Sequence, residues 1–380
     1  MDPALTRDQF SRLLDEEAHT LADLERLLAL EHDILVRNER SASDPAWTKG
    51  GQKQVDAIAK GAIRGAVAVV GCALAGCAAS PPVLPAYVQP DLPPQVELDG
   101  TPFFAQQRYQ CGPAALATVL AASGVKVTAD ELVPEVYLPG RRGSLQPELV
   151  AATRSRGRVP YVLPPETSAL LAAVAGGEPV LVLQKLGAGP WPGWHYAVLV
   201  GYDASRDLVL LRSGLEPRKE TSASHFLASW HRGGGWALAT LQPGVVPPQA
   251  DLERYMTAAA GLEAVGRPHD AAPAYAAAAR HWPDAALPHL ALANLAYADG
   301  DLASAERGYR DAIQLDPGSV AARNNRAAVL NRMGCPVAAR REIDAARGLA
   351  AGGPLAREVE ATAREIPPAP AADRDGCPAH

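Results

Sequence analysis

The chain has 380 residues and a net charge of −6, and 48% of its residues are hydrophobic. A chain of this length and composition folds into two or three globular domains, which excludes wholesale disorder. Its acidic balance and lack of a basic stripe argue against nucleic-acid binding. Because it has 34 prolines but only 4 phenylalanines, we expect linkers between domains and cores of alanine, leucine and valine.

The first segments predict a helical extension followed by an export signal. Residues 1–54 form a charged, leucine-periodic stretch typical of an amphipathic helix. Within residues 55–77, Lys60 and Arg64 precede an apolar run at 65–76. Twelve residues span about 18 Å as a helix, which is too short to cross a bilayer but suits a signal peptide.

The apolar run ends in Leu-Ala-Gly-Cys, with the cysteine at Cys77, and this resembles the lipobox of bacterial lipoproteins. The resemblance implies diacylglyceryl lipidation of Cys77, cleavage before it, and a cell-envelope location. Ala78 follows the cysteine instead of an inner-membrane retention aspartate, which favours the outer membrane, facing the periplasm. A buried helix of small residues is the alternative for this run.

A signal peptide normally begins its chain, so residues 1–54 are unexpected in front of one. We hypothesise that translation starts near Val55, so that the upstream start is mis-assigned. The alternative is a genuine cytoplasmic extension.

The remaining segments have distinct compositions. Residues 78–98 are rich in proline and predict an extended linker. Residues 99–243 mix helix and strand patterns, the VVPPQ stretch at 245–249 predicts a second linker, and residues 251–353 are alanine-rich and helical. Residues 367–380 are expected to be a disordered tail.

The alanine-rich segment repeats with a period of 34 residues. The matching positions are Gly266, Gly300 and Gly334; Ala271, Ala305 and Ala339; Tyr275, Tyr309 and Ile343; and Ala278, Ala312 and Ala346. Small residues at this period allow paired helices to approach closely, and the pattern resembles three tetratricopeptide repeats. Such repeats imply a groove for a protein partner. The five cysteines lack the spacing of a zinc site or a disulfide framework, so Cys335 and Cys377 are expected to have no chemistry.

The chemistry is expected in residues 99–243. Cys111-Gly112-Pro113 opens an apolar helix that ends before Gly124. A thiol at a helix amino terminus has its pKa lowered by the helix dipole, which favours the nucleophilic thiolate. His195 begins a buried-type strand after a strand at 180–182 and a turn-rich loop, and an imidazole there can exchange a proton with the thiol.

These motifs resemble those of the bacteriocin-processing, double-glycine-type cysteine peptidases, a papain-like family. The matching stretches are the Gln-Cys-Gly-Pro-Ala-Ala-Leu sequence at 110–116 and the His-Tyr-Ala-Val-Leu-Val-Gly-Tyr-Asp sequence at 195–203. The fold class implied is an α+β papain-like cysteine peptidase domain followed by an all-α tetratricopeptide repeat domain. The resemblance makes Cys111 the nucleophile and His195 the general base. A buried cysteine and a core histidine without reactivity are the alternatives.

The resemblance assigns two supporting residues. The family places a glutamine upstream of the cysteine as an oxyanion-hole donor, and Gln106 fits this place better than Gln107, although it is one residue closer to Cys111 than usual. The family places an aspartate or asparagine on the strand after the histidine to orient it, and here Ser213 falls at that position. A serine can hold an imidazole tautomer but cannot stabilise imidazolium as a carboxylate does. Asp203 and Asp207 are expected in a surface turn.

The function expected from the sequence is a membrane-anchored cysteine peptidase without cofactor or metal. It would act on a peptide or protein substrate by a Cys–His mechanism, bind a protein partner through its repeats, and attach to the membrane through Cys77. A catalytically inactive peptidase-like scaffold and an acyl transferase using the same cysteine are the alternatives.

Overall fold

The computed structural model describes residues 83–187, 193–368 and 377. The predicted helix at 1–54, the signal peptide with Cys77, and most of the tail lie outside the described residues. None of the helices within the described ranges is long and apolar enough to cross a membrane.

An antiparallel sheet forms the middle of the first domain. Its strands are β1 Gln95–Glu97, β2 Val159–Val162, β3 Val180–Leu186, β4 Gly193–Asp203, β5 Leu208–Ser213, β6 Glu216–Ser222 and β7 Ala237–Leu241. The strand order is β2-β7-β3-β4-β5-β6, and β1 pairs with the carboxyl end of β4. The long strand β4 therefore lies at the centre, with β3 on one side and β5 on the other.

Helices cover both faces of this sheet. They are α1 Cys111–Ala122, α2 Ala129–Val136, α3 Gln146–Ser155, α4 Thr167–Ala175 and α5 Ala223–Arg232. Helices α1 to α3 pack on the face that carries Tyr196, Val198 and Val200, whereas α4 and α5 pack on the face that carries Ala197 and Leu199. Because side chains alternate along a strand, consecutive residues of β4 face different helical layers.

The proline-rich segment is not wholly the extended linker that we expected. From Val83 onward it packs on the sheet domain, with Leu84 fully buried. The Asp207 carboxylate accepts hydrogen bonds from the N–H groups of Val83 and Leu84, both at 2.8 Å. This segment then continues into β1. The apolar leucines between the prolines account for the difference. Burying their side chains against the sheet domain is favourable in free energy, whereas an extended linker would leave them in water.

The C-terminal half consists of paired helices. They are α6 Leu252–Ala264, α7 Pro268–His281, α8 Ala286–Ala298, α9 Leu302–Leu315, α10 Val320–Arg332, α11 Pro336–Ala350 and α12 Ala356–Glu365. Gly266, Gly300 and Gly334 all have positive φ, between 74° and 80°, and end the first helix of each pair. The other nine periodic positions are all buried between the paired helices. They are Ala271, Ala305 and Ala339; Tyr275, Tyr309 and Ile343; and Ala278, Ala312 and Ala346. The sequence pattern missed α12.

The first repeat and the sheet domain share one hydrophobic core. Tyr255 and Tyr275 of the repeat lie in the same cluster as Tyr161 of β2. The ring centroids of Tyr161 and Tyr255 are 6.4 Å apart, and the Asp251 N–H donates to the Tyr161 hydroxyl at 3.0 Å. The 245–249 stretch therefore connects two parts that pack directly against each other, and it does not act as a flexible spacer.

A disulfide joins Cys335 to Cys377 across 42 residues, with 5.2 Å between their Cα atoms. Our expectation that these cysteines have no chemistry was wrong. Cys335 begins the last paired helix as its N-cap and is buried, and the bond attaches the tail to the last repeat. Two cysteines this far apart in sequence have no spacing signature from which the pairing could be read.

Candidate active site

Helix α1 begins at Cys111, as the sequence predicts, and its first turn is tightly enclosed. A Cβ atom at Gly112 would collide with the Ser144 side chain, so only glycine fits there. Pro113 occupies the third helical position, where its missing N–H removes no intrahelical bond. Gly124, with φ +87°, ends the helix. The sequence thus places the thiol at a helix start, and the next residue, Gly112, packs closely against Ser144.

The Cys111 thiol lies against the backbone of β4. It is half-buried, and hydrogen bonds from the backbone of Tyr196, Gly112 and Cys111 itself favour its ionised form. Burial nevertheless outweighs them and raises the pKa of the Cys111 thiol above its usual range. The thiolate that we expected from the helix start is therefore not the resting form. The helix start acts in the expected direction through the backbone of Gly112 and Cys111, but the burial that outweighs it depends on the tertiary fold.

The amino end of β4 also receives Gln106. Its side-chain Nε2 donates to the Tyr196 carbonyl at 3.0 Å, and its backbone N–H donates to the Gly214 carbonyl at 3.0 Å. Tyr196 lies opposite Gly214, just beyond the end of β5 in the strand register. The segment before Cys111 thus occupies the gap left where β5 stops, and it brings Gln106 and the thiol to one backbone position.

His195 precedes Tyr196, and its ring is held by Ser213. The His195 Nε2 and the Ser213 Oγ are 2.8 Å apart, and Ser213 is buried. If Nε2–H donates to this hydroxyl, the Nδ1 lone pair is the one left to accept a proton. Ser213 therefore lies next to the imidazole, and its orienting role stays a prediction.

Burial also governs the charge of His195. It lowers the pKa of the His195 imidazole, and the positive charge of Lys219 lowers it further. Lys219 belongs to β6, where it pairs with Leu211 of β5. Both members of the candidate pair are therefore neutral at rest, as thiol and imidazole. A negative charge in place of the Ser213 hydroxyl would raise the pKa of the His195 imidazole and so favour its protonated form.

The other polar residues singled out in the sequence have different places. Asp203 is buried and not on the surface as expected, and its carboxylate binds Ser205 and the N–H of Arg206 within the turn. His225 and His231 are exposed on α5. Trp194 is exposed, and Lys185 lies over its ring.

Three residues near the site were missed by sequence reasoning. Tyr196 supplies the backbone groups that meet the thiol and Gln106, Lys219 influences the imidazole, and Thr221 lies beside Lys219. Side chains alternate along β6, and this alternation could have shown that Lys219 and Thr221 share one face. To place that face beside His195, one also needs the pairing register of β5 and β6. Within the described ranges, no group of histidine, cysteine, aspartate and glutamate side chains has the arrangement of a metal site.

These contacts bring the Cys111 thiol and the Gln106 side chain to the backbone of Tyr196. The His195 ring lies against Ser213, in a cavity whose lining does not include Cys111. Residues 85–237, which contain most of the sheet domain, match the model of the Peptidase_C39-like family. The search of curated proteins found no match.

Solved structures resemble each half of the chain. A protein from Bacillus anthracis designated a C39-like peptidase is 19% identical, with a TM-score of 0.32, and the match covers 39% of this chain and 97% of that one. The TPR2B domain–pHsp70 complex of yeast Sti1 is 21% identical, with a TM-score of 0.29, and the match covers 30% of this chain and 94% of that one. SycD of Yersinia enterocolitica, in complex with a peptide of the translocator YopD, is also 21% identical, with a TM-score of 0.29 and coverages of 30% and 91%. The fold expectation is confirmed: an antiparallel-sheet domain that matches the C39-like family model is followed by a region of paired helices with a 34-residue repeat.

Proposed function

We propose that the protein is a cysteine peptidase that hydrolyses peptide bonds through Cys111 and His195. The observation that carries the proposal is the convergence at the amino end of β4. There the thiol meets the Tyr196 amide, Gln106 meets the Tyr196 carbonyl at 3.0 Å, and His195 is held by Ser213 at 2.8 Å.

The mechanism begins from the neutral pair. As the Cys111 sulfur attacks the amide carbon, its proton passes to Nδ1 of His195, and the imidazolium then gives that proton to the departing amine nitrogen. Water attacks the resulting thioester carbon while His195 takes a proton from it. The acid product leaves as the thiol regains its proton. Ser213 keeps the ring in the tautomer that this sequence requires.

The oxyanion has two donors. The Cys111 N–H lies at the first position of α1, where no intrahelical acceptor exists. The second donor is the Gln106 side chain, whose NH2 group has two hydrogens. One is given to the Tyr196 carbonyl, so the other remains for the substrate oxygen. Aligned donors of this kind contribute several kcal/mol to acyl-transfer rates, on the order of 3 kcal/mol for one donor.

We also propose that the protein is lipid-anchored through Cys77 in the bacterial cell envelope, at the outer membrane facing the periplasm. The support is the lipobox pattern together with the Cys335–Cys377 disulfide, because disulfides persist in oxidising compartments such as the periplasm. Palmitate labelling of the cells, with Cys77→Ser as the control, tests the anchor. Unchanged labelling in that variant would contradict it.

The repeats are proposed to hold a protein partner or a protein substrate. Tyr297 and Arg332 stack beside each other on neighbouring helices, and Asn294 accepts hydrogen bonds from Tyr309 and Asn325. The repeats thus present polar and aromatic side chains that suit an extended peptide.

A catalytically inactive scaffold is the second candidate, because Ser213 lacks the charge of an orienting carboxylate and both members of the pair rest neutral. An acyl transferase with the same thioester is the third. Cleavage of a peptide library by the full chain, followed by mass spectrometry, distinguishes them. We expect cleavage that is lost in Cys111→Ala and His195→Gln and kept in His231→Gln, whose side chain is exposed on α5.

The products decide between the candidates. If peptides join to an added amine faster than they hydrolyse, the protein is a transferase. If no peptide is cleaved and no acyl group accumulates on Cys111, the peptidase proposal is wrong and the scaffold remains.

A further inference from the structure

A cavity of about 250 Å³ lies on the side of the sheet that carries the His195 ring. Its polar lining consists of His195, Ser213, Lys219, Thr221, His225 and Gln184. In the strand register these residues of β3 to β6 occupy alternate positions, so their side chains emerge on one face. We call this space the His195 cavity.

The His195 cavity offers hydrogen-bond donors that suit an anion. Lys219 brings an ammonium group, and its ion pair with Glu216, at 3.0 Å, is solvent-exposed on both sides, so it competes weakly for that charge. The Thr221 Oγ1 is buried and has no hydrogen-bond partner in the described part of the chain. An unpaired buried hydroxyl is unfavourable, and a bound acceptor would satisfy it.

The charges around the imidazole are unbalanced. On β6, Lys219 faces the ring while its partner Glu216 is turned to solvent, and α5 contributes His225. Ser213 holds Nε2 but carries no charge. The imidazole thus has a cation near it and no carboxylate within the cavity lining, which is the reverse of what an imidazolium intermediate requires.

We propose that the His195 cavity is a carboxylate-binding site, in which Lys219 and Thr221 hold an anionic group beside His195. The bound carboxylate supplies the negative charge that Ser213 lacks and so stabilises the imidazolium formed when Cys111 gives up its proton. The cavity volume of about 250 Å³ is well above the roughly 10–15 Å³ that one water needs by this measure, so it has room for acetate or for an aspartyl side chain. The carboxylate can thus come from free solution or from the substrate. This inference rests on the proposed peptidase function for its benefit to catalysis, but binding itself is measurable without activity.

The test measures the pKa of His195 by NMR in the full chain labelled with [13C]histidine, with His195→Gln to assign the signal. The Cys111→Ala variant is used so that no turnover occurs. We expect 100 mM acetate to raise the His195 pKa by about one relative to the same concentration of chloride, as nearby opposite charges do. Lys219→Met should remove this response, and Thr221→Val should weaken it, whereas Lys126→Met, on the exposed loop before α2, should keep it.

Two peptide amides, Gly-Gly-Asp and Gly-Gly-Asn, test whether the bound carboxylate comes from free solution or from the substrate. A rise with acetate and equal effects of the two peptides supports a free anion as the occupant. A rise with the aspartyl peptide alone supports a substrate carboxylate. If neither acetate nor the aspartyl peptide changes the His195 pKa, or if Lys219→Met responds as fully as the unaltered chain, the inference is wrong. Cleavage of peptides in the absence of any such response would leave the peptidase proposal intact.

Discussion

Replacing Ser213 with aspartate tests the electrostatics of the site directly. The Ser213 Oγ is 2.8 Å from His195 Nε2, so a carboxylate at this position places a negative charge about 4 Å from the ring centre. At an effective dielectric constant near 20, two unit charges at that distance interact by about 4 kcal/mol, or close to three in pKa. Burial of the new carboxylate and the opposing Lys219 reduce this, and we expect His195 to rise in pKa by about one to two.

The consequence for the thiol follows from proton exchange between the two groups. Each rise of one in the His195 pKa increases the thiolate–imidazolium population tenfold at fixed thiol pKa. The rate of Cys111 alkylation by iodoacetamide at pH 6 should therefore increase about ten- to a hundredfold in Ser213→Asp. Mass spectrometry of the modified peptide measures it and excludes reaction at any other cysteine.

Two controls separate charge from hydrogen bonding. Ser213→Asn can still bond to Nε2 but has no charge, so its alkylation rate should stay near that of the unaltered protein. Adding His195→Gln to Ser213→Asp should abolish the gain. Equal rates in Ser213→Asp and Ser213→Asn would refute the reasoning, because a charge at this position would then not reach the imidazole.

Three further predictions use the same geometry. Because burial raises the Cys111 pKa, its alkylation rate should keep increasing with pH above about 8.5, the ordinary thiol value, and a plateau already reached at pH 7 would contradict a neutral resting thiol. Gly112→Ala should lower activity and destabilise the fold by about 1–3 kcal/mol, since the added Cβ meets the Ser144 side chain; Gly140→Ala, with no atom near its Cβ, should show neither effect in denaturant melts. Cys377→Ser should cost about 2–4 kcal/mol by loss of the crosslink, and an unchanged melting temperature would show that the tail does not stabilise the repeats.

The repeats were the part of the fold most accessible from sequence. Their 34-residue period reflects a packing rule that acts between neighbouring helices, so the buried alanines and the turn glycines could be placed without knowing the rest of the molecule. The packing of Tyr255 against Tyr161 was not accessible. A proline-containing connection indicates where the chain changes direction, but it contains no information on which distant surfaces meet.

At the candidate site, the positions of the residues in the fold were predictable, but the direction of the Cys111 pKa shift was not; the catalytic roles of these residues stay predictions. Cys111 and His195 come from local motifs, and Ser213 from counting along the following strand. The direction of the Cys111 pKa depends on how much protein surrounds the thiol, and the influence of Lys219 depends on the register of β6. Both are properties of the assembled sheet.

The shared core of Tyr161, Tyr255 and Tyr275 sets a fixed geometry between the repeats and the thiol. Under the proposed peptidase function, a protein bound along the repeats would present its scissile bond only if the length of chain between the two contact points matched this separation. The fixed distance between the repeats and the thiol would thus select substrates by the spacing between the bound segment and the scissile bond, as well as by sequence. It also implies that a truncation at residue 250 would expose the side chain of Tyr161, which packs against Tyr255 in the intact chain.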